Sequence, residues 1–338
     1  SERLKELGYT TCLFGKTHDG TVEAMMPFNR RDDYYGFNNG ASNFLGDMNR
    51  KHNPIFRNKT IDSNFYEDRG INKNTVIKKG VIQRDSENYL TDQLGDHAAR
   101  FINENKDRPF LCYVPFNAIH GPFQATKETF AKYADQPDHK RALVMAMLDS
   151  MDANIGKVLK ALKDNQLMHD TIIIFLSDNG GHEASPNGPL RGKKGTFWEG
   201  GLRVPFCIQW EGKLAPGSIY TKPIISLDIM PTMIEAAGGT VEADWKLDGV
   251  NLLPYISGRN LEAPHEILYW VGPRKAIRKG DYKAVSMNNG KNFELYNLAQ
   301  DISESTDLSR QHPEKLENMI QQHTKWESTL MPQQWGWN

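Results

Sequence analysis

The sequence has 338 residues, of which 38% are hydrophobic and 25% charged, and its formal net charge is -1 at pH 7. A net charge this small creates no global electrostatic field that would attract nucleic acid or an anionic membrane. Any anion must therefore be recognised by a local cluster of cations. The sequence also lacks the long apolar run that a membrane span requires. Its cysteines, Cys12, Cys112 and Cys207, are too few for a disulfide framework and lie in apolar, strand-like runs, which predicts small buried thiols.

The first residues predict a short helix that the chain enters partway. Leu4 and Leu7 share one face, and Gly8 suits the position just past a helix end. The sequence starts without a methionine or a signal peptide, although a natural terminus or a cleaved signal would also explain that start.

Three predicted strands share one form, a short β-branched or aromatic run followed at once by polar residues and glycine. They cover residues 9–15, 110–116 and 171–176, and helical patterns at 89–105 and 141–165 separate them. This alternation predicts an α/β fold with a largely parallel central sheet flanked by helices. Because ligands bind at the carboxyl ends of the strands in such sheets, we expect the polar residues after the three strands to meet in one crevice.

The stretch between the first two strands, residues 19–87, is rich in Asn, Asp, Arg and Gly and has little periodicity, which predicts long loops. Further along, residues 203–210 predict another strand. Residues 226–239 predict a short helix that Asp228 caps and two glycines end.

The pattern changes from His265 onward. Four short alternating runs, followed by a helical segment, predict a small antiparallel sheet with one helix. We therefore interpret residues 1–258 as an α/β catalytic domain and residues 259–338 as a smaller C-terminal α+β subdomain.

Asp178 and Asn179 follow the third strand directly, in the run "SDNGG". A carboxylate and an amide oxygen side by side are ligands that calcium or magnesium prefers. The same four residues "SDNG" are also an excellent turn, and taken alone they favour the turn.

Two groups of cations follow predicted strands. Lys194 lies in "RGKKGTFWEGG", where glycines allow a ligand close to the backbone and the ammonium suits an oxyanion. A solvated basic loop is the alternative, and for Arg191 and Lys193 we favour it. Lys16 and His18 in "GKTHDG" pair an ammonium that can hold an anion with an imidazole that can move a proton near neutral pH.

Two further histidines and one tryptophan are candidates for substrate contact. His120 in "NAIHGPF" follows the second strand and precedes Gly-Pro, so its ring could act as a general acid for a leaving alcohol. His182 could touch substrate or simply be exposed. Trp198 could line a cleft for a sugar ring or simply pack a loop.

Taken together and in order, these motifs resemble the sulfatase family of the alkaline-phosphatase-like superfamily. The resemblance runs through "GYTTCLFGKTHDG", "RPFLCYVPFNAIHGPF", "TIIIFLSDNGGH", "PLRGKKGTFWEGGLRVPF" and "AIRKGDYKAV". It covers nearly the whole sequence, and the order and spacing of several motifs make it far more specific than any one of them.

The resemblance implies a sulfuric ester hydrolase that binds Ca²⁺ and uses a formylglycine, matured from cysteine or serine, as its nucleophile. Asp178 and Asn179 would be metal ligands. Lys194 and His120 would contact the sulfate and help the leaving oxygen depart. Lys16 and His18 would position the formylglycine and assist the release of sulfate.

One part of the family's pattern does not occur in the sequence. The sulfatase signature, Cys or Ser followed by x-Pro/Ala-x-Arg, is missing, as is the pair of aspartates that normally precedes it. We therefore expect this chain to be the larger part of a sulfatase without its N-terminal segment, which would carry the nucleophile and the remaining metal ligands.

Other readings remain open from the sequence. A phosphodiester or phosphonate monoester hydrolase of the same superfamily would use a similar site. A non-catalytic carbohydrate-binding relative would keep the fold alone. The favoured partner is a sulfated small molecule or carbohydrate, with no nucleic acid and no membrane span, and the resemblance implies a periplasmic or extracellular location.

Overall fold

The computed structural model describes residues 2–16, 34–37, 75–78, 81–84, 89–121, 123–182 and 184–331. The chain forms two compact units. Unit 1 comprises Ser1–Thr171 with Met230–Leu247, and unit 2 comprises Ile172–Ile229 with Asp248–Asn338. The domain division at residue 258 stays a prediction.

Unit 1 contains a five-stranded mixed sheet of order β4-β3-β2-β1-β5. Strand β1 pairs in parallel with β2 and β5, whereas β3 pairs antiparallel with β2 and β4. The strands are β1 Thr10–Lys16, β2 Tyr34–Phe37, β3 Thr75–Lys78, β4 Val81–Arg84 and β5 Phe110–Tyr113. The predicted parallel pairing is confirmed for β1 and β5, and β3 and β4, which the sequence analysis does not predict, make the sheet mixed.

Three of these strands correct the prediction that residues 19–87 are loop. Strands β2, β3 and β4 are each four residues long and lie inside that stretch. The run "TVIKKGVIQR" contains the signal for the β3–β4 hairpin, since two β-branched runs flank the dipeptide Lys79-Gly80. The residues around this run are mostly polar, so the composition of the whole stretch predicts a loop.

The core of unit 1 forms where the second helix packs on β1 and β5. Leu94, Ala98 and Phe101 of this helix bury Cys12 and Phe14 of β1. The helices are α1 Glu2–Glu6, α2 Leu90–Glu104, α3 Lys127–Ala131, α4 His139–Asp164 and α6 Ile229–Ala236, the last beginning at the unit boundary. Helices α2 and α4 confirm the helices predicted at 89–105 and 141–165.

Unit 2 begins with an antiparallel pair, β6 Ile173–Leu176 and β7 Phe206–Gln209. We expected the third strand to join the other two in one sheet, but among the described residues β6 pairs only with β7. Residues alternate outward along β7, which leaves Cys207 exposed, and Cys112 is half-buried. The prediction of buried thiols is therefore right only for Cys12.

The rest of unit 2 confirms the predicted antiparallel sheet with a helix. Its strand order is β11-β10-β9-β8, and the last helix packs on β9 and β10 through Met319, against Ile277, Ala284 and Leu295. The elements are α5 Glu199–Leu202, α7 Leu253–Ile256, β8 Ile267–Val271, β9 Lys275–Lys279, β10 Tyr282–Ser286, β11 Glu294–Asn297 and α8 Pro313–Glu327.

Asp228 has a larger role in unit 2 than the helix cap that the sequence predicts. Its buried carboxylate accepts the N–H groups of Ile225 and Val250, each at 2.9 Å. His265 Nε2 lies 2.8 Å from the same carboxylate. Separately, no helix in the described part of the chain has the length and apolar character needed to cross a membrane.

Candidate active site

The 178–181 loop follows β6 and carries the predicted metal ligands. Ser177 Oγ donates to the Asn179 carbonyl at 2.8 Å, which tightens the turn. Asp178 is exposed, and its carboxylate has no hydrogen bond or ion pair with the described residues. A carboxylate at a strand end that has no partner in the described part of the chain can accept a cation.

Glycines 180 and 181 let this loop lie against neighbouring backbone. Gly180 N–H donates to the Gly201 carbonyl at 3.1 Å, and a Cβ at Gly180 would lie 1.8 Å from the Gly200 carbonyl oxygen. A Cβ at Gly181 would lie 2.3 Å from the Ser185 carbonyl oxygen. Any side chain at these positions would force the backbone segments apart.

The 191–196 loop brings Lys194 beside the 178–181 loop. Lys194 N–H donates to the Gly181 carbonyl at 3.0 Å. The side chain of Asn187 links both loops, since its Oδ1 accepts the Gly181 N–H at 2.7 Å and its Nδ2 donates to the Gly192 carbonyl at 3.0 Å. The predicted cation ligands and the predicted anion-binding lysine therefore lie on adjacent, hydrogen-bonded loops of one unit.

Arg191 anchors the 191–196 loop to the C-terminal sheet. Its guanidinium lies 3.9 Å from the centre of the Trp198 ring, and it donates to Tyr296 Oη at 2.7 Å and to the Glu304 carbonyl at 3.0 Å. Trp198 Nε1 in turn donates to Glu294 at 3.1 Å. The expectation of a solvated Arg191 is wrong, because the side chain is half-buried and bonded, whereas Lys193 is exposed.

Beneath this loop lies a buried ion network that the sequence gives no means of finding. Lys283, fully buried, lies 2.7 Å from Glu199 Oε1 and 3.0 Å from Glu304 Oε1. Glu304 Oε2 also accepts the Glu199 N–H at 2.6 Å, at the start of α5. Burial raises the pKa of Glu304, and the neighbouring Lys283 ammonium acts in the opposite direction. Lysine is almost never fully buried unless it is paired. A lysine in the pattern of β10 is therefore read as exposed, and the sequence does not reveal its distant partners.

In unit 1, β1 brings Lys16 beside the segment that leads to His120. Lys16 N–H donates to the Pro115 carbonyl at 2.9 Å, and a Cβ at Gly15 would lie 2.1 Å from that carbonyl oxygen. His120 is exposed, and its Nδ1 lies 2.6 Å from the Gly121 carbonyl. Because a carbonyl can only accept, Nδ1 carries the proton. Asn117, 2% exposed, has a side-chain amide without a partner among the described residues.

Unit 2 therefore holds Asp178, Asn179, His182, Lys194 and Trp198. Unit 1 holds Lys16 and His120, and the prediction for His18 lies outside the described residues. His182 is exposed. Trp198 is half-buried, because Arg191 covers its ring and the residue also packs against the buried cluster that contains Val285 and Tyr296.

The donor set fits part of a calcium site. Asp178 and Asn179 offer hard oxygen donors, but Ca²⁺ takes about 6–8 oxygens. Within the described residues no group of three or more His, Cys, Asp or Glu side chains could hold a metal ion. Further oxygen donors, such as backbone carbonyls, other side chains or water, would have to complete the coordination.

Two family models match the chain. The family model described as Sulfatase matches residues 1–239, and that described as N-sulphoglucosamine sulphohydrolase, C-terminal, matches residues 193–329. A sulfatase from Formosa agariphila is 31% identical over 258 residues, which are 67% of this chain and 47% of that protein. The uncharacterized sulfatase YdeN of Escherichia coli is 30% identical over 281 residues, 80% of this chain and 49% of that protein.

Among solved structures, Ps i-CgsB in complex with k-i-k-neocarrahexaose superposes with a TM-score of 0.85 and 30% identity. The match covers 99% of this chain and 75% of that chain. The chain spans about half the length of the two curated relatives above.

Proposed function

This chain belongs to the sulfatase family, and we propose that the whole protein hydrolyses sulfate esters of a saccharide. The observation that carries the proposal is the direct bond between the two loops, Lys194 N–H to Gly181 carbonyl at 3.0 Å. It places the backbone of Lys194, a candidate for anion binding, against the loop that carries Asp178, whose exposed carboxylate has no partner among the described residues. A sulfate ester bound to a cation needs that combination of charges.

The roles of individual residues follow from their chemistry. Lys194 binds a sulfate oxygen and stabilises the charge that develops on it. Asp178 and Asn179 hold Ca²⁺, which would supply Lewis-acid polarisation of the sulfate. His120 donates a proton to the leaving oxygen, and its protonated Nδ1, bonded to Gly121, leaves Nε2 as the atom that moves the proton.

The nucleophile, in this proposal, is a formylglycine outside the 338 residues, because the sulfatase signature does not occur in the sequence. Lys16, at the end of β1, and His18, two residues later, orient that group and hold the departing sulfate. The bond from Lys16 N–H to the Pro115 carbonyl supports a shared location for Lys16 and the His120 segment.

A sulfated saccharide is the proposed substrate class. Ps i-CgsB, 30% identical to this chain, was crystallised with a neocarrahexaose. His182, exposed beside the 178–181 loop, would contact the sugar, as would the accessible part of the half-buried Trp198. We also propose a periplasmic or extracellular location, which the resemblance to the family implies.

The test is sulfate release by the whole protein, produced together with a formylglycine-generating enzyme. Sulfated carrageenan oligosaccharides and an aryl sulfate serve as substrates, with the matching phosphate monoester and phosphodiester as competitors for the assignment. We expect sulfate release that depends on Ca²⁺ and is lost in Lys194→Ala. Preferred hydrolysis of a phosphate ester, or saccharide binding without sulfate release, would contradict the proposal.

A further inference from the structure

The side chain of Asn187 bonds to both loops of the proposed site at once. We propose that Asn187 is a positioning residue that fixes the 178–181 loop relative to Lys194 and so sets the distance between the bound cation and the bound sulfate. The inference rests on the proposed function and adds a residue that no catalytic motif predicts.

Three hydrogen bonds carry the inference. Asn187 Oδ1 accepts the Gly181 N–H at 2.7 Å, and Nδ2 donates to the Gly181 carbonyl at 3.3 Å and to the Gly192 carbonyl at 3.0 Å. The Gly181 peptide is thereby held at both its N–H and its C=O. The Gly192 carbonyl lies two residues before Lys194, in the loop that presents the ammonium.

The chemistry requires an amide at this position. A carboxamide has one acceptor oxygen and two donor hydrogens, which match the one N–H and two carbonyls that it meets. An aspartate of the same shape could still accept from Gly181 N–H, but its second oxygen would face two carbonyl oxygens. Loss of the amide therefore removes the link to the 191–196 loop and leaves the direct Lys194–Gly181 backbone bond to hold the two loops together.

The hydrogen bonds of Asn187 position the two loops of the site and contribute less to the folding of the chain. All three end on the two loops of the site, and the residue is half-buried. The 191–196 loop is fixed to the C-terminal sheet independently, by Arg191 bonded to Tyr296 and Glu304. Without Asn187 the protein should still fold. The distance between the cation ligands and Lys194 would, however, change by fractions of an ångström, and a displacement of that size lowers kcat.

The experiment compares the whole protein with its Asn187→Ala and Asn187→Asp variants, and with Asn288→Ala as a matched control. Asn288 also holds a turn of unit 2, since its Oδ1 accepts from Ser286 Oγ and from Asn292 N–H, but it has no bond to either loop. The readouts are kcat and KM, the thermal midpoint, Ca²⁺ affinity by titration calorimetry, and a double-mutant cycle with Lys194→Ala.

We expect both Asn187 variants to lose about 10- to 100-fold in kcat and in Ca²⁺ affinity, with KM and the thermal midpoint little changed. In the Lys194→Ala background most of the loss in kcat should disappear, because the two residues act as a unit. Asn288→Ala should resemble the wild type in kcat.

Results of three kinds would overturn the inference. Activity of both Asn187 variants close to that of an active wild type would do so, as would losses that add fully to those of Lys194→Ala. Unfolding of both variants would make the role structural. An inactive wild type would instead contradict the proposed function, so the two failures are distinguishable.

Discussion

Removal of the buried Lys283 ammonium tests most sharply how unit 2 holds the 191–196 loop. Lys283→Met replaces the side chain with an apolar one of similar length and removes the positive charge between Glu199 and Glu304. These carboxylates are 4% and 0% exposed, so neither gains water in exchange. Breaking a buried pair by removing one partner costs about 3–5 kcal/mol, because a buried charge is left uncompensated.

That cost is a large share of a total stability of about 5–15 kcal/mol. The measurement is urea unfolding followed by tryptophan fluorescence, repeated from about pH 8 to about pH 5. Without the ammonium the carboxyl pKa of Glu304, already raised by burial, rises further. For an acid with a raised folded pKa, stability is present below the unfolded pKa and is lost as pH rises through the folded one. The deficit of Lys283→Met should therefore shrink on acidification.

Two variants control this experiment. Lys279→Met removes a half-exposed ammonium on the neighbouring strand, 3.6 Å from an exposed Glu266, and should cost less than about 1 kcal/mol. Adding Glu304→Gln to Lys283→Met removes one of the uncompensated charges and should recover part of the loss. A cost for Lys283→Met no greater than that for Lys279→Met would refute the assignment of a structural role to the buried network.

Four further results are expected. Lys194→Ala should lower kcat by about 10²- to 10³-fold while thermal stability is kept, as measured by steady-state kinetics and calorimetry; a change confined to KM would contradict its role on the reacting group. Asp178→Asn should weaken Ca²⁺ binding by about tenfold or more in titration calorimetry, and unchanged affinity would remove Asp178 from the metal shell. Gly180→Ala should destabilise the protein measurably in urea, because its Cβ would lie 1.8 Å from the Gly200 carbonyl oxygen. Burial raises the pKa of Asp301, but hydrogen bonds from the Thr306 N–H and from the hydroxyls of Ser305 and Ser303 outweigh burial and lower that pKa. The stability that Asp301 contributes above about pH 4 should therefore fall as pH drops through its folded pKa. Asp301→Asn should flatten that fall.

Sequence patterns predicted the elements that have strong periodicity. Helices α2 and α4 and the four strands of the C-terminal sheet lie where apolar spacing placed them. The motif "SDNGG" and the glycine-rich run after it could be assigned to loops, because glycines at 180 and 181 are required where backbones touch. Patterns of this kind are local, so a single sequence carries them.

The rest of the site depends on partners far apart in the sequence. Lys283 and Glu199 are 84 residues apart, and Arg191 meets Tyr296 over 105 residues. Nothing in "DYKAVSM" distinguishes a buried lysine from an exposed one. Asn187, in "SPNGP", has the signature of an ordinary turn. Short strands such as β3 and β4 were missed because four residues give too little alternation to stand out in a polar stretch.

The most direct test of the account is a crystal structure of the whole protein with Ca²⁺ and a sulfated saccharide, obtained with a variant that turns over slowly. We expect a sulfate oxygen within hydrogen-bond distance of Lys194 Nζ and, beside it, a cation that Asp178 and Asn179 ligate. A sulfate group bound with its cation away from both loops would contradict the account.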